Sequence, residues 1–94
     1  MEILGKPYIE YALKNNVVVR FFSLNIEDNE LKWHKDLEDR IIWTLEESNW
    51  SFQLDNELPI HLDANRKILI KKGTYHRLIK GDNDLILIIS KQIK

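Results

Sequence analysis

Trp33-His34-Lys35-Asp36-Leu37-Glu38-Asp39-Arg40 leads directly into Ile41-Ile42-Trp43-Thr44-Leu45, and about forty residues later comes Gly73-Thr74-Tyr75-His76. The apolar run is β-branched and aromatic, the composition of a strand. In a strand, side chains at i and i+2 share a face, so His34 and Asp36 are expected to converge, with His76 joining them from another strand. Two imidazoles and a carboxylate on one face suit a divalent first-row transition metal (Fe, Mn, Zn or Ni), with coordination positions left for water or substrate.

Working outward, the same strand signature recurs along the chain. Val17 to Leu24 is β-branched and aromatic, and Leu31 to Asp36 and Arg40 to Glu46 read as the next two strands. Trp50 to Leu54, Leu58 to Leu62, Lys67 to Lys71, His76 to Ile79 and Leu85 to Ile89 continue the pattern. Polar turn chemistry separates them: Glu27-Asp28-Asn29-Glu30, Glu47-Ser48-Asn49, Asp55-Asn56-Glu57 and Gly81-Asp82-Asn83-Asp84. Short strands with turns every eight to twelve residues predict an all-β barrel or sandwich, one unit over residues 1–94. Pro7 to Asn15 predicts one or two helical turns, with Pro at a first helical position and Asn as a stop.

Ile41, Trp43 and Leu45 take one face of their strand while Ile42 and Thr44 take the other, and Leu85 to Ile89 is apolar on both faces. One face fills a barrel, and a second apolar face needs a cover that 94 residues do not supply. A homodimer is therefore expected.

Composition excludes several function classes. The chain has no cysteine, so disulfides and thiolate-rich zinc sites are ruled out. The first nineteen residues carry Glu2, Lys6, Glu10 and Lys14 without an uninterrupted apolar run, unlike a signal peptide, and no stretch has the length of a membrane helix. The expected compartment is the cytoplasm. Glycines stand singly rather than in a phosphate loop, and no serine sits in a nucleophile motif.

Net charge is −1 but unevenly placed: residues 27–63 hold eleven acidic and three basic side chains, and residues 64–94 hold eight basic and two acidic. Sequence-distant strands that neutralise each other explain this more simply than a nucleic-acid patch, since the basic residues are scattered. No nucleic-acid or membrane partner is expected.

The two opening motifs resemble those of the cupin superfamily. The first cupin motif has two histidines separated by one residue, then a glutamate, then an apolar strand ending in Leu-Glu-Gly. Here His34-Lys35-Asp36 occupies the His-x-His position and Ile41-Ile42-Trp43-Thr44-Leu45-Glu46 resembles the strand. Arg40 stands where the family's glutamate ligand falls. The second motif, a strand followed by Pro-x-Gly-x-x-His, is matched by Ile68 to His76 with Lys71 replacing the proline. The segment Trp50 to Leu62 has the hairpin length expected between them. The resemblance spans residues 17–90, and the chain also looks like short single-domain cupins carrying His-x-Asp-x-x-Asp-Arg. It implies a cupin-like double-stranded β-helix, that is, a jelly-roll barrel, with a metal site in its mouth held by His34, Asp36 and His76. The function it implies is a divalent-metal or small-ligand site. The alternative is a metal-dependent enzyme of the dioxygenase, isomerase or lyase class acting on an acidic substrate.

Arg40 shares strand parity with His34 and Asp36 and would project inward, where an arginine needs a partner. It would either pair with Asp36, leaving an empty polar pocket, or stand beside a metal and hold a ligand's acid group. A bulge before Arg40 would turn Asp39 inward instead. Gln53 and Tyr75 are secondary candidates for lining the ligand pocket. Trp33 and Trp50 fit either its mouth or the core. His61 matches no motif position and reads as a surface or rim histidine.

Overall fold

Strands form where β-branched and aromatic residues alternate in environment. In the computed structural model, which describes residues 8–27 and 31–93, they are β1 (Ile9–Lys14), β2 (Val17–Phe22), β3 (Asp39–Trp43), β4 (Ser51–Leu54), β5 (Ile60–His61), β6 (Ile68–Ile70), β7 (His76–Ile79) and β8 (Leu85–Gln92). No helix occurs among the described residues. The strands build two antiparallel sheets, one ordered β1-β2-β8-β3-β6 and the other β5-β4-β7. The fold is all-β, as the turn spacing led us to expect, and its two antiparallel sheets are consistent with the jelly-roll that the resemblance implies.

Register sorts the side chains. Phe22 pairs with Leu85, Arg20 with Leu87 and Val18 with Ile89, while on the other side of β8 Ile42 pairs with Ile89 and Arg40 with Lys91. These positions point inward, toward Phe52 of the smaller sheet. The core they build includes Phe22, Ile42, Trp50, Phe52, Ile70, Leu85, Leu87 and Ile89. Trp50, at 0% exposure, is one of its anchors, and its indole N–H is satisfied by the Asn83 carbonyl at 2.6 Å, as a buried tryptophan requires. The alternate positions, Phe21 opposite Ile86, Val19 opposite Ile88 and Trp43 opposite Ile88, lie on the outer face of the larger sheet.

Two local expectations are corrected. Residues 9–14 form β1 rather than a helix. Ile9, Tyr11 and Leu13 alternate with Glu10, Ala12 and Lys14, a period of two, and Asn16 supplies the positive φ of 63° that turns the chain into β2. The asparagine signal thus marked a hairpin turn rather than a helix stop; Pro7 lies outside the described residues. The segment 31–36 is not a strand either. It touches β7 through a single bridge, His34 opposite His76. Of the turn expected at 27–30, residues 28–30 lie outside the described residues.

Within the acid-rich stretch, Asp39 accepts the Lys72 backbone N–H at 2.8 Å. No helix among the described residues is long and apolar enough to cross a membrane.

The β7–β8 turn is clamped onto the start of β4. Asn49 Oδ1 accepts the Asp82 N–H at 2.9 Å, and a Cβ at Gly81 would lie 2.7 Å from the Asn49 carbonyl carbon and 2.8 Å from Trp50 Cδ1. Gly81→Ala is therefore expected to cost about 1–3 kcal/mol through overpacking. That lowers the thermal midpoint by roughly 10 °C. Differential scanning calorimetry showing an unchanged midpoint would remove this clamp from the account.

Candidate metal centre and cavity

His76 begins β7 and points inward, because its partner Leu54 does. Two reciprocal backbone bonds, His34 N–H to His76 O at 3.0 Å and His76 N–H to His34 O at 2.8 Å, pin the 31–36 segment against it. The Gly73 N–H donates to Asp36 O at 2.9 Å and extends the seam. Asp36 then stands four residues before Arg40, on the way into β3. His34, Asp36 and His76 thereby each present one donor atom within 4.8 Å of the other two. The two imidazole rings stand edge to face with centroids 4.3 Å apart. Burial is graded: His76 is 3% exposed, Asp36 is half-buried and His34 opens to solvent.

Hydrogen bonding assigns the imidazole tautomers. His34 Nδ1 lies 3.0 Å from the Lys32 carbonyl, and His76 Nδ1 lies 2.8 Å from the Thr74 carbonyl. A carbonyl only accepts, so both Nδ1 atoms carry hydrogen, and in the neutral rings both Nε2 atoms carry a lone pair. This arrangement orients ligating histidines. Burial pushes the His76 imidazole below its ordinary pKa. His34 and Arg40 add to that shift, against the opposing pull of the Thr74 carbonyl and the Asp36 carboxylate. His76 is therefore neutral at pH 7.

The Asp36 carboxylate divides its work. Oδ1 is 3.3 Å from Arg40 Nη1, while Oδ2 is 3.2 Å from His76 Nε2. A neutral His76 with its proton on Nδ1 cannot donate there, so two lone pairs face each other. Oδ2 is buried without a hydrogen-bond partner. Such an atom costs free energy unless a proton or cation sits against it. The donor set, two imidazole nitrogens and a carboxylate oxygen, fits a divalent transition metal.

Arg40 faces inward as its parity demanded, and Asp39 faces outward toward Lys72, so no bulge brings Asp39 to the site. Arg40 Nε also donates to Glu38 Oε2 at 2.8 Å, and that bond holds the Glu38 carboxyl below its ordinary pKa. The ion pair with Arg40 thus occupies Oδ1 of Asp36 and leaves Oδ2 over.

Beside the triad opens a cavity of about 430 Å³ lined by His34, Asp36, His76, Arg40 and a wall that includes Phe22, Ile42, Phe52 and Leu87. Gln53 and Tyr75 do not reach it. Gln53 alternates with inward Phe52 and Leu54, so its amide faces outward, accepting from Arg77 Nε at 3.0 Å and donating to Glu57 O at 3.0 Å. Tyr75 precedes inward His76 and lies exposed, 5.3 Å from the Lys35 ammonium. Trp33 is also outside, 4.8 Å from the Arg77 guanidinium, while Trp50 belongs to the core. His61 is exposed and bonded to Asp63 at 2.6 Å. With Glu47 these two form a second, surface cluster of potential ligands, but Asp63 also pairs with Arg66 and Glu47 accepts the Ala64 N–H.

The sequence reading missed Arg20, Tyr8 and Lys32, all of which line the cavity. A usable signal existed for Arg20, because it shares strand parity with Phe22, which is in the core. Tyr8 and Lys32 stand outside any regular strand and carry no such signal.

No protein-family model and no curated protein sequence matches the chain. Solved structures do. A cupin domain from Bordetella pertussis matches 98% of this chain and 100% of its own, with a TM-score of 0.65 at 13% identity. A structure of DMSP lyases matches 78% of this chain with a TM-score of 0.65 at 15% identity. Fe(II) HppE in complex with substrate matches 87% with a TM-score of 0.61 at 15% identity. The chain spans 35% of that lyase chain and 51% of the HppE chain. Further matches are also cupin proteins. With its two facing antiparallel sheets and these likenesses, the chain has the fold of the cupin superfamily.

Proposed function

We propose that this protein is a metal-binding cupin in which His34 Nε2, His76 Nε2 and Asp36 hold one divalent transition ion, Fe, Mn, Zn or Ni, with a small-molecule ligand in the adjoining cavity. The observation that carries the reading is the buried, unpartnered Oδ2 of Asp36, facing the lone-pair nitrogen of His76 at 3.2 Å. A cation between them turns a repulsion into two bonds. Three protein ligands leave coordination positions for water or ligand. Elemental analysis of protein purified without an affinity tag or chelator should find close to one transition metal per chain. A clean absence that persists after incubation with Fe, Mn, Ni and Zn would defeat the reading.

An enzymatic reading is favoured by the open coordination positions beside an apolar cavity, and by two structural neighbours described as a lyase and as an Fe(II) protein with its substrate. A bound metal would supply Lewis-acid or redox chemistry, with Arg40 near the reacting end.

We further propose a homodimer formed through the outer face of the larger sheet. Tyr11, Phe21, Leu69 and Ile86 are exposed there, beside Ile41, Trp43 and Ile88, across all five strands. A twofold contact covers such a face with itself. Light scattering at tens of micromolar should give twice the chain mass of 11.3 kDa. Lysine at both Phe21 and Ile86, opposite each other in register, should give the monomer. A monomeric wild type would rule the dimer out.

A further inference from the structure

We propose that Arg20 is the acid-binding residue of the cavity, anchoring the carboxylate of a small ligand whose apolar body lies along the inner wall and whose other end reaches the triad. The proposal rests on the small-ligand reading of the cavity and not on the presence of a metal.

Arg20 sits mid-strand in β2 on the inward face, opposite Leu87 and between Val18 and Phe22. Placing a guanidinium there is costly unless an anion meets it. Among the described residues its carboxylate partner is Glu10, on the neighbouring strand, which takes Nε at 2.7 Å. The Tyr8 ring lies 4.2 Å from the guanidinium carbon. One edge of the fork is thus held by Glu10 and its plane by Tyr8, which presets the Nη1–Nη2 edge for a bidentate carboxylate. Arg40, the cavity's other arginine, is already shared between Asp36 and Glu38.

The rest of the lining agrees. Among the described lining residues the cationic side chains are Arg20, Lys32 and Arg40, and the anionic one is Asp36. Phe22, Phe52, Leu78 and Leu87 supply apolar wall between the charged ends. Arg20 is level with Leu87 of β8, whereas Arg40 is level with Lys91 and on the other flank of that strand. Four residues along a strand is about 13 Å, and two strand spacings are about 10 Å. The two arginines therefore enter from opposite ends, and a carboxylic acid with a body of several carbons spans the distance between them.

Hexanoate and its neutral counterpart hexanamide test this by titration calorimetry at pH 8, on chelator-treated protein and on the same protein reloaded with Zn²⁺. Hexanoate should bind both forms at least tenfold more tightly than hexanamide. Arg20→Gln should lose at least tenfold of hexanoate affinity and leave the weak hexanamide binding in place, while Arg20→Lys, with charge but no fork, should fall between. Equal binding of the two probes by the wild type, or undiminished hexanoate binding by a folded Arg20→Gln, overturns the proposal. Hexanoate binding that vanishes on chelation also overturns it, because the metal rather than Arg20 then holds the acid. The metal-free arm keeps this result separate from any failure of the metal reading. The probe comparison on wild-type protein stands even if Arg20→Gln does not fold.

Discussion

Asp36→Asn is expected to stabilise the metal-free protein while reducing metal affinity at least 100-fold. In the wild type, Oδ2 faces the His76 Nε2 lone pair at 3.2 Å without a hydrogen bond between them. An asparagine amide in the same place donates to that nitrogen, and its oxygen keeps the contact with Arg40 Nη1. The lost carboxylate charge is offset in part because Glu38 still holds Arg40 Nε at 2.8 Å. Gaining one hydrogen bond and relieving one unsatisfied buried acceptor together outweigh the weakened ion pair by about 1 kcal/mol. The thermal midpoint of metal-free protein at pH 8 should therefore rise by about 4–8 °C. Metal affinity falls because an amide oxygen is a poor substitute for a carboxylate among imidazole ligands. A stability gain coupled to a binding loss is the signature of a site held in tension for its ligand. A lower midpoint in metal-free Asp36→Asn would show instead that Asp36 serves Arg40 first. Metal affinity equal to wild type would remove Asp36 from the ligand set.

His34→Ala and His76→Ala should each abolish stoichiometric metal binding, and they should differ in everything else. His34 is exposed, so its truncation leaves fold stability within about 0.5 kcal/mol of wild type. His76 is buried against Phe52, with ring centroids 5.4 Å apart, so its truncation opens a cavity and costs about 2–3 kcal/mol. His61→Ala, in the surface cluster with Asp63 and Glu47, should leave metal content unchanged. Metal titration followed by calorimetry, alongside chemical denaturation of the metal-free variants, separates the two effects. If His61→Ala empties the protein of metal while His34→Ala does not, the surface cluster is the metal site and the cavity triad is not.

The pattern of residues carried most of the strand content because alternation is local. Val17 to Phe22 and Leu85 to Ile89 each announce a strand by their β-branched and apolar content, while their mutual register decides which face fills the core. The spacing His34-x-Asp36 and the Gly73 to His76 run were legible for the same reason, as a short extended segment brings i and i+2 to one side. Residues 9–14 were less legible, because one strand's alternation reads as a helix turn when Asn15 is taken for a stop. Their hairpin partner, β2, decides the matter. Tyr75 and Gln53 illustrate the opposite failure: polar and near the motifs, they are turned outward by the inward neighbours Phe52, Leu54 and His76.

What only the tertiary structure decided is which polar atoms meet. The approach of Asp36 to His76 and the gathering of Arg20 and Arg40 on one cavity depend on contacts between elements distant in sequence. Strand parity gives each residue a face. Sheet order and register decide what stands opposite it, and they are set by the packing of the whole core, which no local pattern encodes.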